Sequence, residues 1–279
     1  MSLEQAWRIA DSWPVERSSI AVLHRDAGST GLVVETHGDQ DFRQRIASLS
    51  KPLSAWATLI AIEEGSVALD DPVGQQGCTL RHLLSHTGGY PFSGDDPVGK
   101  PGAKRIYSNT GYDMVAAHVA AATGMDFGEY MREAVFAPLG MSSTALQGSC
   151  AKDVFSTARD MTAFLREMRT PTLIARETHV EAVTTVFPGT AGQVPGIGTF
   201  DDCAFGLGFE IKAHKSPHWT APSGSSATYG HFGGVGTFIW YDPVVDIGCV
   251  MLAEREFDEW GMESWPGFNE AVLRGANQP

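Results

Sequence analysis

The sequence predicts an α/β (α+β) fold: an antiparallel sheet built from both chain ends, flanked by helices, with an inserted, mostly helical lobe. Strand-like apolar segments lie near both ends, at residues 19–24, 32–37, 205–211, 236–241 and 246–252. From about residue 79 to 180 the apolar residues instead recur mostly at helical spacing. Strands at both ends with helices between them favour one sheet. We place the sheet domain at 1–66 and 201–279 and the helical insertion at 67–200.

The individual elements follow from local patterns. An amphipathic helix is predicted over residues 4–13, and a glycine-containing turn at 27–31 joins the first two strands. In the insertion, glycine or proline ends each predicted helix. The predicted helices span residues 80–85, 112–122, 126–135 and 157–168, and a last helix spans about 268–274.

The most apolar helix is predicted over Leu53 to Ile62, where apolar residues lie on nearly all sides, as in a buried helix. Gly65 is a suitable C-terminal stop. Pro52 has no N–H and is tolerated best in a first turn, where backbone donors have no partner. The helix is therefore expected to begin close to Ser48.

Ser48 and Lys51 form a Ser-x-x-Lys pattern at the mouth of this helix. Residues three apart share a helix face, so the lysine can reach the serine oxygen. A serine hydroxyl needs a neighbouring base to become a nucleophile, and a desolvated lysine can act as that base. The backbone N–H of Ser48 would be available to an oxyanion. The alternative interpretation is an ordinary capped helix start.

The pattern occurs again at Ser149 and Lys152, after Gly148. This second copy lies in a polar loop with no long apolar helix behind it. We interpret it as a chance occurrence.

A second motif, Tyr107-Ser108-Asn109, opens the helix predicted at 112. The structural interpretation is that Asn109 is an N-cap and Tyr107 a partly buried anchor. The functional interpretation is that Tyr107 relays a proton. The Asn109 amide would then orient a substrate carbonyl or hold Lys51.

A glycine-dense strand is predicted from Tyr229 to Pro243. Glycine weakens a strand unless a ligand or another backbone approaches closely, so this strand could line a pocket. An N–H group there, from Gly234, could join that of Ser48 in an oxyanion hole. The alternative is a bulge or a tight crossing.

Three motifs in this order, Ser48-x-x-Lys51, Tyr107-x-Asn109 and His231-x-Gly233, resemble the serine β-lactamase and penicillin-binding-protein superfamily. The chain is most similar to class C β-lactamase-related esterases and D-peptidases, over about residues 45–253. The resemblance implies that Ser48 is the nucleophile and that Lys51 and Tyr107 share the proton transfer. It also implies a substrate-binding set that comprises Asn109, His231, Phe232, Gly233 and Gly234.

The third motif departs from the Lys-Thr-Gly found in many relatives. His231 is mostly neutral near pH 7, and Phe232 offers no hydroxyl, so a substrate carboxylate would be held weakly. We therefore expect a serine hydrolase that forms an acyl-enzyme with a small ester. The alternatives are a D-amino-acid amidase, D-peptidase or weak β-lactamase of the same fold, and a non-catalytic binding protein.

Composition limits the remaining classes. The 279 residues carry a net charge of −13 without a basic run, which argues against a nucleic-acid partner. No apolar run approaches the roughly 18 residues of a membrane helix, and no signal peptide is expected.

The four cysteines form no C-x-x-C pair, which favours reduced thiols and a cytoplasmic location. His82 and His86 have no evident third ligand, so neither a metal nor another cofactor is expected, only a small-molecule substrate.

Overall fold

The computed structural model describes residues 3–25 and 31–276. The strands are β1 (Ser18–Arg25), β2 (Leu32–His37), β3 (Gln44–Arg45), β4 (Ala145–Leu146), β5 (Val154–Ser156), β6 (Gly192–Val194), β7 (Gly198–Phe200), β8 (Glu210–Ile211), β9 (Tyr229–Gly233), β10 (Thr237–Asp242) and β11 (Ile247–Ala253). The α-helices are α1 (Glu4–Asp11), α2 (Ser50–Glu63), α3 (Leu80–Leu84), α4 (Asn109–Thr123), α5 (Phe127–Met131), α6 (Ala158–Arg169), α7 (Arg176–Ala182) and α8 (Glu259–Ala276). A π-helical turn, Arg132–Phe136, follows α5.

The main sheet has six strands in the order β2-β1-β11-β10-β9-β8. Strand β1 pairs antiparallel with β11, so that Ala21 lies opposite Val250. N-terminal and C-terminal strands thus meet in the centre of one antiparallel sheet, which confirms the predicted fold class. The division at residues 66 and 201 stays a prediction.

Both faces of the sheet are buried. Successive side chains of a strand point to opposite sides, so neighbouring residues of one strand pack into different clusters. On β10, Phe238 and Trp240 pack into the cluster that contains Trp265 of α8. Ile239 belongs to the other cluster, with Trp56 of α2. The nearly all-round apolar character of α2 therefore reflects its position between the sheet and the helical lobe.

Helix α2 has the predicted ends. A 3₁₀ turn, Ala47–Leu49, carries Ser48 and leads directly into α2. Pro52 lies in the first turn, and Gly65 follows the helix with a left-handed φ of 75°. Residues 50 to 61 are all buried.

Two predicted details are wrong at the motifs. Helix α4 begins at Asn109 because Ser108, not Asn109, is the N-cap, and its Oγ accepts the Gly111 N–H at 2.9 Å. The segment 229–243 is a hairpin, not one strand: β9 and β10 are joined by a turn in which Gly236 has φ 77°.

Other boundaries also differ. The strand predicted at 205–211 is reduced to β8, and the last helix begins at Glu259, nine residues earlier than predicted. Helix α7 and the β6–β7 hairpin were not predicted. Residues 27–30 of the predicted turn lie outside the described residues. All four cysteines are free and buried. No helix within the described residues has the length and apolar character needed to cross a membrane.

Candidate active site

Ser48 lies on a strained turn at the entrance to α2. The residue before it, Ala47, is buried and has φ 47°, a left-handed conformation that is costly for a residue with a Cβ. The Ser50 hydroxyl fixes this turn by donating to the Ala47 carbonyl at 2.6 Å. Ser48 is partly exposed, so its hydroxyl is accessible at the N-terminal end of the buried helix α2.

Lys51 is fully buried below Ser48, with 0% of its surface exposed. Its Nζ lies 2.7 Å from Asn109 Oδ1, 3.0 Å from the Ala151 carbonyl oxygen and 3.3 Å from Ser48 Oγ. Burial lowers the pKa of this amine to about 7, because the charged form loses its hydration. The lysine is therefore poised between its charged and neutral forms near neutral pH.

Tyr107 lies on the other side of the serine. Burial raises the pKa of its phenol well above the ordinary value, and the neighbouring Ser48 hydroxyl offsets part of this rise. Its Oη also lies 3.2 Å from Nε2 of His231 on β9. Lys51 Nζ is 4.6 Å from the centre of the tyrosine ring. Serine, lysine, tyrosine and histidine thus form one contiguous group.

Gly233 explains how β9 comes so close to the turn that carries Ser48. A Cβ at this position would lie 2.5 Å from the Ile46 carbonyl oxygen and 2.4 Å from Thr237 Oγ1. The Thr237 hydroxyl donates to the same Ile46 carbonyl at 2.9 Å. The glycine therefore permits a close crossing of two backbones. The two interpretations of this glycine-rich segment, pocket wall and tight crossing, both describe it.

A cavity of about 270 Å³ opens above Ser48. Its wall includes Ser48, Tyr107, His231 and Gly234. Six further side chains make much of the lining apolar: Phe92, Val194, Pro195, Phe205, Phe232 and Phe257. The cavity is large enough for a small organic molecule and presents mainly aromatic surface to it.

The predicted site residues fall into two groups. Ser48, Tyr107, His231, Phe232 and Gly234 line the cavity. The other three stand behind its wall: Lys51 and Asn109 contact each other, and Gly233 contacts the Ile46 backbone. Of the two functional roles considered for the Asn109 amide, the structure shows the contact with Lys51.

Several cavity residues were missed by sequence reasoning. Phe92, Phe205 and Phe257 come from three separate connections, and Val194 and Pro195 come from the β6–β7 hairpin. No local pattern marks isolated aromatic residues in loops as pocket residues. The hairpin could have been found from Pro195-Gly196 between short apolar stretches, since this dipeptide marks a turn.

The second Ser-x-x-Lys copy has neither a buried lysine nor a hydrogen bond between the lysine amine and the serine hydroxyl among the described contacts. Ser149 Oγ donates to the Asp113 carboxylate at 2.6 Å, and Lys152 is exposed. The loop nevertheless contributes to the first copy, because the carbonyl that contacts the Lys51 amine belongs to Ala151.

The two histidines four residues apart make separate contacts. His82 Nδ1 lies 2.8 Å from Thr79 Oγ1 at the start of α3, whereas His86 Nδ1 accepts the Ser108 N–H at 3.2 Å. In the described part of the chain, no group of three or more histidine, cysteine or acidic side chains is arranged to hold a metal ion.

A serine beside a buried lysine and a tyrosine, next to a sheet packed by helices, is the arrangement that the three sequence motifs predict for a β-lactamase-like fold. The chain belongs to the β-lactamase family, whose model matches residues 21–272. The solved structure of a β-lactamase from Mycobacterium bovis is 40% identical, with a TM-score of 0.94, over 98% of this chain and 100% of that one.

Two curated relatives match over shorter stretches. A penicillin-binding protein of Bacillus subtilis is 30% identical over 132 residues, which are 36% of this chain and 29% of that protein. A putative D-alanyl-D-alanine carboxypeptidase of Escherichia coli is 25% identical over 201 residues, 56% of this chain and 46% of that protein. The chain thus spans less than half the length of either relative.

Proposed function

We propose that this protein is a serine hydrolase that cleaves small carboxylic esters through an acyl-enzyme at Ser48. One observation carries the proposal: the Ser48 hydroxyl lies 3.3 Å from a buried amine, Lys51, and shares its cavity with a desolvated phenol, Tyr107. Both groups can exchange protons with the serine, and together they convert an ordinary hydroxyl into a nucleophile.

The remaining groups have roles that follow from their positions. Asn109 holds the Lys51 amine. The N–H groups of Ser48, in the first turn of its helix, and of Gly234, on the opposite wall, stabilise the negative oxygen of the tetrahedral intermediate. Water then releases the acyl group from Ser48. Neither a metal nor a cofactor takes part in these steps.

Charge around the cavity favours a neutral ester over a substrate with a carboxylate. Burial, together with the charge of Lys51, lowers the pKa of His231 to about 4, so this side chain is neutral at pH 7. The Arg105 guanidinium already donates to the carbonyls of Ser85 and Val186. The Glu210 carboxylate also borders the cavity, but its charge is met by the Lys215 ammonium at 3.5 Å, so no unpaired charge there attracts a carboxylate. An alkoxide also leaves more readily than an amine.

The second candidate is a D-peptidase or weak β-lactamase activity at the same serine. The 40% identity to a β-lactamase structure and the match to a putative carboxypeptidase favour it. The two candidates share the acyl-enzyme and differ in the bond that is cleaved.

A fluorophosphonate probe tests the nucleophile. We expect it to add mass only to the peptide that contains Ser48, and we expect Ser48→Ala to abolish both labelling and turnover. Ser149→Ala is the matched control, because it alters the second Ser-x-x-Lys copy and should leave both unchanged. Absence of labelling in the wild type would instead support a binding protein that retains the fold.

An activity panel tests the substrate class. The same preparation is assayed with p-nitrophenyl esters, D-amino-acid anilides and nitrocefin. The proposal expects the highest kcat/KM for a short ester. A higher value for nitrocefin or an anilide would reject the ester assignment and leave the nucleophile assignment intact. A small-molecule substrate and a cytoplasmic location remain predictions.

A further inference from the structure

The hydrogen bonds of His231 have a fixed direction. Its Nδ1 lies 2.7 Å from the Phe232 carbonyl oxygen, which can only accept a hydrogen bond. Nδ1 therefore carries the single proton of the neutral imidazole, and Nε2 is left as an acceptor. The Tyr107 hydroxyl, 3.2 Å from Nε2, must then be the donor.

This direction continues to the nucleophile. When the Tyr107 proton points at His231, a lone pair of the phenol oxygen is free to accept the Ser48 proton. The Phe232 carbonyl thereby fixes the direction of the Tyr107–His231 hydrogen bond and leaves the phenol oxygen able to accept a proton from the neighbouring Ser48. Lys51 Nζ lies 3.3 Å from Ser48 Oγ, the longest of its three hydrogen bonds, while the two shorter ones are to the acceptors Asn109 and Ala151.

We propose that His231 is the terminal proton acceptor for the activation of Ser48, with Tyr107 as the relay and Lys51 as a cation beside the serine. This inference rests on the proposed function, because it concerns how Ser48 becomes acylated. It does not depend on whether the natural substrate is an ester, an amide or a β-lactam.

Acylation of Ser48 moves two protons along the path from Ser48 through Tyr107 to His231. As Ser48 Oγ bonds to the carbonyl carbon, the π electrons move to the carbonyl oxygen. The Ser48 proton passes to Tyr107 Oη, and the Tyr107 proton passes to Nε2 of His231, which becomes imidazolium. When the tetrahedral intermediate collapses, the C–O bond to the leaving group breaks. The proton returns from His231 to Tyr107, which protonates the departing alkoxide.

The relay avoids a free phenolate. Burial raises the pKa of Tyr107 far above neutral, so phenolate is not available as the base. The neutral phenol can take the serine proton only if it gives up its own at the same time. The charged and titratable groups near His231 are Lys51 of α2, Glu210 of β8, Tyr107 before α4 and His86 after α3. The Glu210 carboxylate favours the transient imidazolium, whereas the Lys51 ammonium opposes it.

The pH dependence of Ser48 labelling by a fluorophosphonate separates this path from direct proton removal by Lys51. If His231 accepts the proton and Lys51 acts as ammonium, the second-order labelling rate should rise through about pH 4 and fall through about pH 7. If neutral Lys51 is the base, the rate should instead rise through about pH 7. That second profile would overturn the proposal without any variant.

The variant His231→Gln keeps a polar side chain that cannot take up a proton. We expect its labelling rate at pH 6 to fall by about 10²- to 10⁴-fold, the usual contribution of general base catalysis. His179→Gln is the matched control, because His179 Nε2 lies 3.2 Å from the Tyr229 hydroxyl in the same kind of pair, away from the cavity around Ser48. It should label at the wild-type rate.

Three further outcomes are decisive. The wild-type rate in mixtures of H₂O and D₂O should depend on deuterium content along a curve, because two protons move together, whereas a straight line would contradict the relay. Normal labelling of His231→Gln with an unchanged pH profile would reject this inference and retain the hydrolase. No labelling of the wild type at any pH would reject the hydrolase itself.

Discussion

The amide oxygen of Asn109 lies 2.7 Å from Nζ of Lys51, and both side chains are buried. The charge of the lysine is thus met by neutral oxygens, one from this amide and one from the Ala151 carbonyl. A carboxylate in place of the amide would favour the ammonium form strongly. The neutral amide therefore keeps the pKa of Lys51 within reach of neutral pH.

The substitution Asn109→Asp tests this relationship. A carboxylate beside the amine should raise the pKa of Lys51 by about one to three units. If the ammonium is the active form, the alkaline limb of the labelling profile should move upward by the same amount. The measurement is the rate of fluorophosphonate labelling between pH 5 and 10. An alkaline limb that stays near pH 7 would show that it does not belong to Lys51.

Gly233 and Gly234 offer a pair of neighbouring positions with opposite expectations. Gly233→Ala places a Cβ 2.5 Å from the Ile46 carbonyl oxygen, and two backbones must separate to admit it. We expect a loss of about 1–3 kcal/mol in the free energy of unfolding, as for other overpacked sites. At Gly234 a Cβ meets nothing within 4 Å, so Gly234→Ala should change stability by less than about 0.5 kcal/mol.

Denaturant titrations of both variants and the wild type provide the comparison. Equal stability of the two variants would contradict the close crossing of β9 and the Ser48 turn. Since the same crossing sets the position of His231, Gly233→Ala should also slow the labelling of Ser48.

Sequence reasoning located the motifs of the candidate site because they depend on short-range chemistry. Ser48 and Lys51 are one helical turn apart, and Pro52 and Gly65 mark the helix ends. The order of the three motifs then indicated a shared site. Sequence reasoning also predicted the main sheet, because β1 and β10, buried along nearly their whole length, are short apolar stretches that stand out in the chain.

The other features of the candidate site depend on tertiary contacts that leave no local pattern in the sequence. Whether Asn109 caps a helix or holds Lys51 is decided by its neighbour Ser108, which takes the capping position. The direction of the Tyr107–His231 hydrogen bond is decided by the Phe232 carbonyl, and a sequence pattern contains no information on backbone oxygens. The aromatic cavity wall is assembled from loops far apart in the chain.

Burial of His231 predicts a pH-dependent contribution to stability. Its pKa is about 4 in the folded protein, against about 6.5 in an unfolded chain. Between these values the unfolded chain binds more protons, so the folded state loses stability as the pH falls from 6.5 to 4. This one group should account for about 3 kcal/mol over that interval.

The comparison of wild type with His231→Gln isolates this contribution, because the other buried histidines are common to both. We expect the stability difference between the two proteins to change by about 3 kcal/mol between pH 7 and pH 4, in the direction that favours the variant at low pH. Parallel curves, measured by urea unfolding at each pH, would show that the pKa of His231 is the same in the folded and the unfolded protein.

Phe92 at the cavity mouth should influence which ester is preferred. It is 55% exposed, and its ring stacks on that of Tyr107 with centroids 6.1 Å apart, so an aromatic substrate entering the cavity would meet both rings. An aromatic contact is worth about 0.5–1.5 kcal/mol, which corresponds to about 2- to 10-fold in kcat/KM. Phe92→Ala should therefore lower kcat/KM for an ester with a phenylacetyl group, relative to an ester with an acetyl group, by that factor.

Because the Phe92 side chain is exposed, the variant should fold normally. Val98→Ala, an exposed apolar residue outside the cavity lining, is the control and should leave the ratio unchanged. An unchanged ratio in Phe92→Ala would mean that the acyl group binds deeper, against Phe205 and Phe257.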